Sequence, residues 1–486
     1  MKRKGRLLLV LGIVFLVLAG GIAWSQVTER VSVNTNGKDA DSGSSNPSTS
    51  SNGRYVAFQS EATDLVAPAS NGSMHIFVRD RQTGTTTQVS VDSLGGEGDG
   101  RSFNPSISAD GRYVAFDSNA GNLVAGDEAF PFGFSDIFVH DLQMGETTWV
   151  SEDSSGGEGD GPSFNPSISA DGKYVAFQSE ATGLVVPSGS NGQTHIFVLD
   201  RQTGTTTQVS VDSLGSEGTG PSFNPSISAD GRYVAFDSQT DNLIVGDTNP
   251  FPGYDIFVHD RQTGITTLVS KDSNGIQGSG DSTLPSISSD GRYVAFVSDA
   301  ANLVAGDTNG LFDIFVHDRD ADEDGIYDDE DGIYDPGEVS TVRVSVRSDG
   351  TEADQASNAP SISSDGRYVA FESDAANLVA GDTNGSTDVF IHDLQKGTTT
   401  RVSVDLDGVQ RNDNSNFPSM SADGSSVTFQ SDADLVADDN NGVPDIFVDD
   451  LQTGAGGDGS DGDGNSSGGC FIATAAYESG MAEAVK

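Results

Sequence analysis

A single cysteine, Cys470, occurs in 486 residues, so no intrachain disulfide braces this chain and its stability has to come from packing and strand pairing. Basic residues are scarce too: 25 Lys and Arg stand against 73 Asp and Glu, a formal charge of -48. Such a charge repels phosphates and anionic headgroups, which excludes nucleic acid and argues against a membrane surface as partner, while cations are favoured. It also serves as plain solubilising cover. After the first 25 residues no apolar run approaches the length of a membrane span. No Gly-x-Ser-x-Gly elbow is present, and the six histidines form no cluster.

What is there begins with the three parts of an export signal: basic Met1 to Arg6, an apolar run from Leu7 to about Ala23, then Ala23-Trp24-Ser25. Residues 1–25 read as a signal peptide cleaved after Ser25. The run is long enough that an uncleaved anchor is the alternative.

One phrase then recurs, as in Pro105-Ser-Ile-Ser-Ala-Asp-Gly-Arg-Tyr-Val-Ala-Phe116. Its glycine falls at 53, 111, 172, 231, 291, 366 and 424, in steps of 58, 61, 59, 60, 75 and 58. That is seven units with one insertion. Each unit holds four short β-branched and aromatic runs bounded by turn residues; in the fourth they span 225–228, 232–238, 255–260 and 266–270. A lone four-stranded sheet cannot bury both faces, whereas seven packed radially can. The fold class expected is all-β, a seven-bladed β-propeller over residues 26–454. The last unit stops after its third strand, Asp445 to Asp449, and the mature chain starts with Val27-Thr-Glu-Arg-Val-Ser-Val33, which matches Thr399 to Val404, the fourth strand of unit six. The N-terminal strand is therefore expected to close the last blade.

At these residues, Ser-Ala-Asp-Gly-Arg-Tyr-Val-Ala-Phe followed by Asp-Ile-Phe-Val-His-Asp, the chain resembles the WD-type repeat of TolB-like periplasmic propellers over about residues 27–454. The resemblance implies a platform that binds other proteins, sometimes fused to a hydrolase domain that is not evident here.

Strand alternation puts the connections after strands two and four on one face and those after strands one and three on the other. On the first face three blades share Asp-x-Asn-Gly-x-x-Asp: Asp307, Asn309 and Asp313; Asp382, Asn384 and Asp388; Asp439, Asn441 and Asp445. Oxygen donors at this spacing suit calcium, and the same residues also make an ordinary capped turn; both readings are open. Blades one and three have His75 and His195 at the second acidic place, so no such site is expected there. Blades two and four carry aromatic insertions, 130–134 and 250–254, as a recognition patch or a cover for the blade edge. On the other face, the insertion 320–338 in blade five is the sharpest motif. Asp320, Asp322 and Asp324 match the start of an EF-hand-type calcium loop, with Ile326 giving a carbonyl, Asp328 at the ninth place and Asp331 where a bidentate Glu is usual. The alternative is an acidic hairpin tip.

His140, His259, His317 and His392 share one third-strand place that other blades fill with Arg79, Leu199 and Asp449, which marks it as structural. No catalytic residue is assigned, and the chain is expected not to be an enzyme. Residues 455–469 are a Gly/Asp/Ser linker, and Cys470-Phe-Ile-Ala-Thr-Ala-Ala-Tyr477 within 470–486 resembles a C-terminal sorting or anchoring motif of bacterial exported proteins, with Glu478 where that motif has Gly. The function expected is an exported, calcium-stabilised scaffold, periplasmic, cell-surface or secreted, for protein or glycan partners. It touches a membrane only through an uncleaved signal or the C-terminal motif. A glycan-active propeller using channel carboxylates is the alternative.

Overall fold

The computed structural model describes residues 27–126, 134–153, 156–157, 159–185, 191–248, 253–323, 325, 327, 337 and 339–451. The expected signal 1–25, the expected linker, the Cys470 segment, the tips 130–133 and 250–252, and Asp324, Ile326, Asp328 and Asp331 lie outside them.

Seven four-stranded antiparallel sheets form the blades of a β-propeller. Blade two is typical: Ser102–Ile107, Tyr113–Ser118, Asp136–Asp141 and Glu146–Trp149 pair in chain order. The seventh sheet departs from that order. Its outer strand is Val27–Arg30, paired antiparallel with Asp445–Asp450 in the register Thr28↔Asp449 and Arg30↔Phe447. The strand Val27–Arg30 thus completes the last blade. It ends three residues sooner than Val33, which instead makes an isolated bridge to Asp39.

The core is repeated seam by seam. The Val-Ala-Phe of the second strand (Val427-Thr428-Phe429 in blade seven) and the Ile-Phe-Val of the third (Val389-Phe390-Ile391 in blade six) are buried, and within each blade the two phenylalanines pack ring against ring, as Phe116 and Phe138 do at 6.0 Å. Each cluster joins neighbours: Ala57 and Ile76 of blade one pack with Val114 and Phe116 of blade two. Each buried phenylalanine contributes about 2–3 kcal/mol through area removed from water.

Two closed rings of hydrogen bonds hold the hub. In one, a first-strand serine of each blade accepts the N–H of the next blade, from Ser48 to Ile107 through Ser361 to Met420, and Ser419 returns the chain to Thr49, at 2.9 to 3.1 Å. In the other, the turns between strands one and two pass a backbone bond around the circle: Ser51 to Ala109, Ala109 to Ala170, Ala170 to Ala229, Ala229 to Ser289, Ser289 to Ser364, Ser364 to Ala422, and Asp423 back to Ser51. Small residues at these turns let the backbones approach.

The first strands differ from expectation. In blade four the strand runs Ser222–Ile227 and not from Pro225, with a bulge between Phe223 and Ser226. Asn224 takes a positive φ of 52° there, as do its counterparts in all blades. Proline has no N–H to give to a ladder, so the bulge accommodates Pro225 within the strand.

Six of the seven seams share a further stitch at the rim. A fourth-strand threonine donates its hydroxyl to a carbonyl of the preceding blade: Thr86 to Val33, Thr147 to Val91, Thr266 to Val211, Thr341 to Lys271, Thr399 to Val346 and Thr28 to Val404. His140, His259, His317 and His392 anchor four of these hydroxyls through Nδ1 at 2.8 to 2.9 Å. Blade three has Leu199 in place of the histidine, and a cavity of about 520 Å³ opens there, lined by Trp149 and Glu152 on one side and Leu199, Arg201 and Thr206 on the other.

Candidate functional site

The Asp-Asn-Gly loops emerge between strands two and three, and each folds by the same local logic. Asn309 Oδ1 accepts the N–H of Leu311, Asn384 that of Ser386 and Asn441 that of Val443, at 2.8 to 3.1 Å, which closes an Asx turn. Gly310, Gly385 and Gly442 supply the positive φ of 64° to 68° that follows. The amide of each asparagine then donates to the second acid, as Asn309 does to Asp313 at 2.9 Å. The acids at the first and last places are therefore brought together, while the asparagine oxygen is spent inside the turn.

Between the acids sits a guanidinium. Arg343 Nη1 lies 3.4 Å from Asp307, 3.2 Å from Asp313 and 2.6 Å from Glu352. Arg401 Nη1 lies 3.3 Å from Asp382 and 3.1 Å from Asp388, and Arg30 Nη1 lies 3.1 Å from Asp439 and 4.0 Å from Asp445, with its Nη2 on Asp39. All three arginines end the fourth strand of their blade. The place is filled differently elsewhere. In blade four, Gln277 donates to Asp247 and Asp255 at 2.8 Å each; in blades one and three, His75 and His195 face Glu97 and Glu217 at 3.1 and 2.7 Å. Six blades thus repeat one polar rim position, each with its own donor set. The spacing reading missed Arg343, Arg401, Arg30 and Glu352. The signal that finds the three arginines is that arginine ends the fourth strand only in those blades with the full Asp-x-Asn-Gly-x-x-Asp loop.

The electrostatics of blade five are uneven. Burial, against the pull of Arg343, pushes Asp307 up to about 6, and burial also raises Asp313. Burial works against the Glu352 carboxylate as well, but bonds from Thr308 and Arg343 outweigh it and hold Glu352 down to about 2. Asp439 in blade seven is likewise raised to about 6 by burial.

On the opposite face, Asp320 Oδ1 accepts the N–H of Gly325 at 3.1 Å, capping the first turn of the insertion, and Tyr327 packs 5.4 Å from Tyr233. Asp322 is exposed. The remaining proposed ligands of that loop fall outside the described residues.

Two further acids meet the hub. Asp117 and Asp237 hold the bulges: Asp117 accepts from Asn104 and from the N–H of Asn165, Asp237 from Asn224 and from the N–H of Leu284. Both are buried, and burial pushes each up to about 6. Tyr254, from the aromatic segment of blade four, folds back to 6.3 Å from Phe223, whereas Phe134 of blade two is exposed.

No family model and no curated protein matches the chain. Among solved structures it is similar to TolB from Acinetobacter baumannii, at 19% identity and a TM-score of 0.33 over 56% of this chain and 51% of that one, so the match spans about half the length of that protein. A TolB candidate from Agrobacterium tumefaciens is similar at 18% identity and 0.38, over 65% and 83% of the two chains. An oligogalacturonate lyase in complex with manganese is similar at 14% identity and 0.48, over 89% and 97%. Prolyl endopeptidases and an acylaminoacyl peptidase also match. The expectation that the chain is not an enzyme is corrected by these neighbours: enzymes carry this fold as TolB does, so the fold gives no ground for excluding catalysis. What the seven sheets establish is a seven-bladed β-propeller fold.

Proposed function

We propose that the chain is an exported propeller scaffold whose Asp-Asn-Gly face receives a protein or glycan partner in the cell envelope or outside the cell, with calcium bracing its acidic loops. The observation that carries this reading is where apolar surface is left uncovered. Eight of the eleven large hydrophobic side chains exposed among the described residues lie in connections on that face. Phe134, Val245 and Phe312 precede third strands; Leu94, Leu214, Ile276, Leu406 and Val409 follow fourth strands. Apolar side chains set among acidic loops supply the anchor and rim of a recognition surface. The net charge of -48 favours a neutral or cationic partner.

The test is affinity capture from envelope extract with the purified chain, in calcium and in chelator, beside a variant carrying Leu94→Ser, Leu214→Ser and Val245→Ser. A partner retained by the native chain and lost by the variant supports the reading. Equal retention by both overturns the choice of face.

A further inference from the structure

Blade five differs from the other Asp-Asn-Gly loops in a feature that lies outside the loop. Its acid pair is joined by Glu352, from the connection after the fourth strand, and ligand oxygens of Asp307, Asp313 and Glu352 all lie within 4.8 Å of one another. Blade six has Gln410 at the corresponding bridge position. Blade seven has Asp39, but Arg30 holds it with Nη2 while Nη1 faces Asp439.

The Asp307 side chain is only 2% exposed, and neither of its carboxylate oxygens accepts a hydrogen bond. A buried carboxylate without donors is expensive, and the nearby Arg343 is shared with two other acids. Three negative charges against one positive leave two in excess, the charge of one divalent cation. All three donors are hard oxygens, which suit calcium or magnesium and not a thiophilic metal.

We infer that blade five carries a divalent-cation site, calcium being the fitting ion, with Asp307, Asp313 and Glu352 as its protein ligands and Arg343 as its resident competitor. The inference rests on the reading that calcium braces the propeller and specifies which loop it occupies. Binding replaces the shared 3.4 Å contact that Asp307 has with Arg343 Nη1 and displaces that guanidinium from among the three oxygens. Blade six, with two acids already bridged by Arg401, takes no ion.

Calcium chloride, and magnesium chloride in parallel, are titrated calorimetrically into the full chain and into Glu352→Gln, Arg343→Gln, Asp382→Asn and Asp320→Asn. Glu352→Gln should weaken one calcium site about tenfold or more, Arg343→Gln should strengthen the same site severalfold, and Asp382→Asn should match the native chain. Thermal melting in chelator checks that each variant folds; Glu352→Gln is isosteric and serves if Arg343→Gln does not. Calcium binding that Glu352→Gln leaves unchanged, or that only Asp320→Asn removes, overturns this site while the broader calcium reading stands. No binding by the native chain overturns both.

Discussion

Gly111 lies against the aromatic ring of Tyr55 in the preceding blade, so closely that a Cβ at 111 would fall 2.1 Å from Tyr55 Cδ2. The relation repeats, Gly172 against Tyr113, Gly231 against Tyr174, Gly291 against Tyr233 and Gly366 against Tyr293. It explains why glycine and tyrosine recur two residues apart: each glycine seats the tyrosine of its neighbour. Gly111 also has φ +74°, so Gly111→Ala incurs both backbone strain and overlap, and a loss of about 2–4 kcal/mol is expected by chemical denaturation. Gly95 has φ +82° with nothing within 4 Å, so Gly95→Ala should cost only about 1 kcal/mol. Equal costs would show that the seam contact contributes nothing.

The rim stitches make a second paired prediction. Thr147 serves both His140 and the Val91 carbonyl, so Thr147→Val should destabilise by about 1–3 kcal/mol. Thr206, beside Leu199 at the cavity, makes no such stitch, and Thr206→Val should change stability by less than about 0.5 kcal/mol. Denaturation midpoints of the two variants, compared under one condition, decide it.

A third concerns pH. Burial raises Asp237 from 3.8 to about 6, so the native state holds a proton between those values that the unfolded chain has released, and stability from this group falls as pH rises through that window. Asp237→Asn should therefore stabilise the chain by about 1–3 kcal/mol at pH 8 relative to the native residue, with the gain vanishing near pH 4. His259 and His392, lowered by burial from 6.5 to about 4, work the other way: their contribution is present above 6.5 and is lost as pH falls toward 4. Unfolding at pH 4, 6 and 8 reads the difference, and a gain independent of pH would mean that Asp237 does not titrate with folding.

The ring and its closure were legible because both are carried by short runs repeated in phase. The third strand of blade four was legible to the residue, Asp255–Asp260, since Gly-Tyr before it and the turn after punctuate it, while that of blade seven, read as Asp445 to Asp449, runs one residue further. First strands were not, because a strand broken by a bulge at Asn224 and Pro225 loses its alternation. The candidate site was half legible. Asp307 and Asp313 are six residues apart and announce themselves, but Arg343 and Glu352 arrive from a strand and a loop some thirty to forty-five residues later, and local spacing says nothing about them. Pairing of the third and fourth strands of blade five, in the register Phe315↔Arg343, assembles that position, not loop sequence.

The most direct test of the closed ring is deletion of residues 27–33. The segment supplies the outer strand against Asp445–Asp450, the Arg30 contact with Asp439, and Ser32, which donates to Asp445. Its loss leaves an open edge on blade seven, so light scattering should show self-association and the melting temperature should fall. A truncated chain that stays monomeric and melts with the full-length protein would contradict the closure.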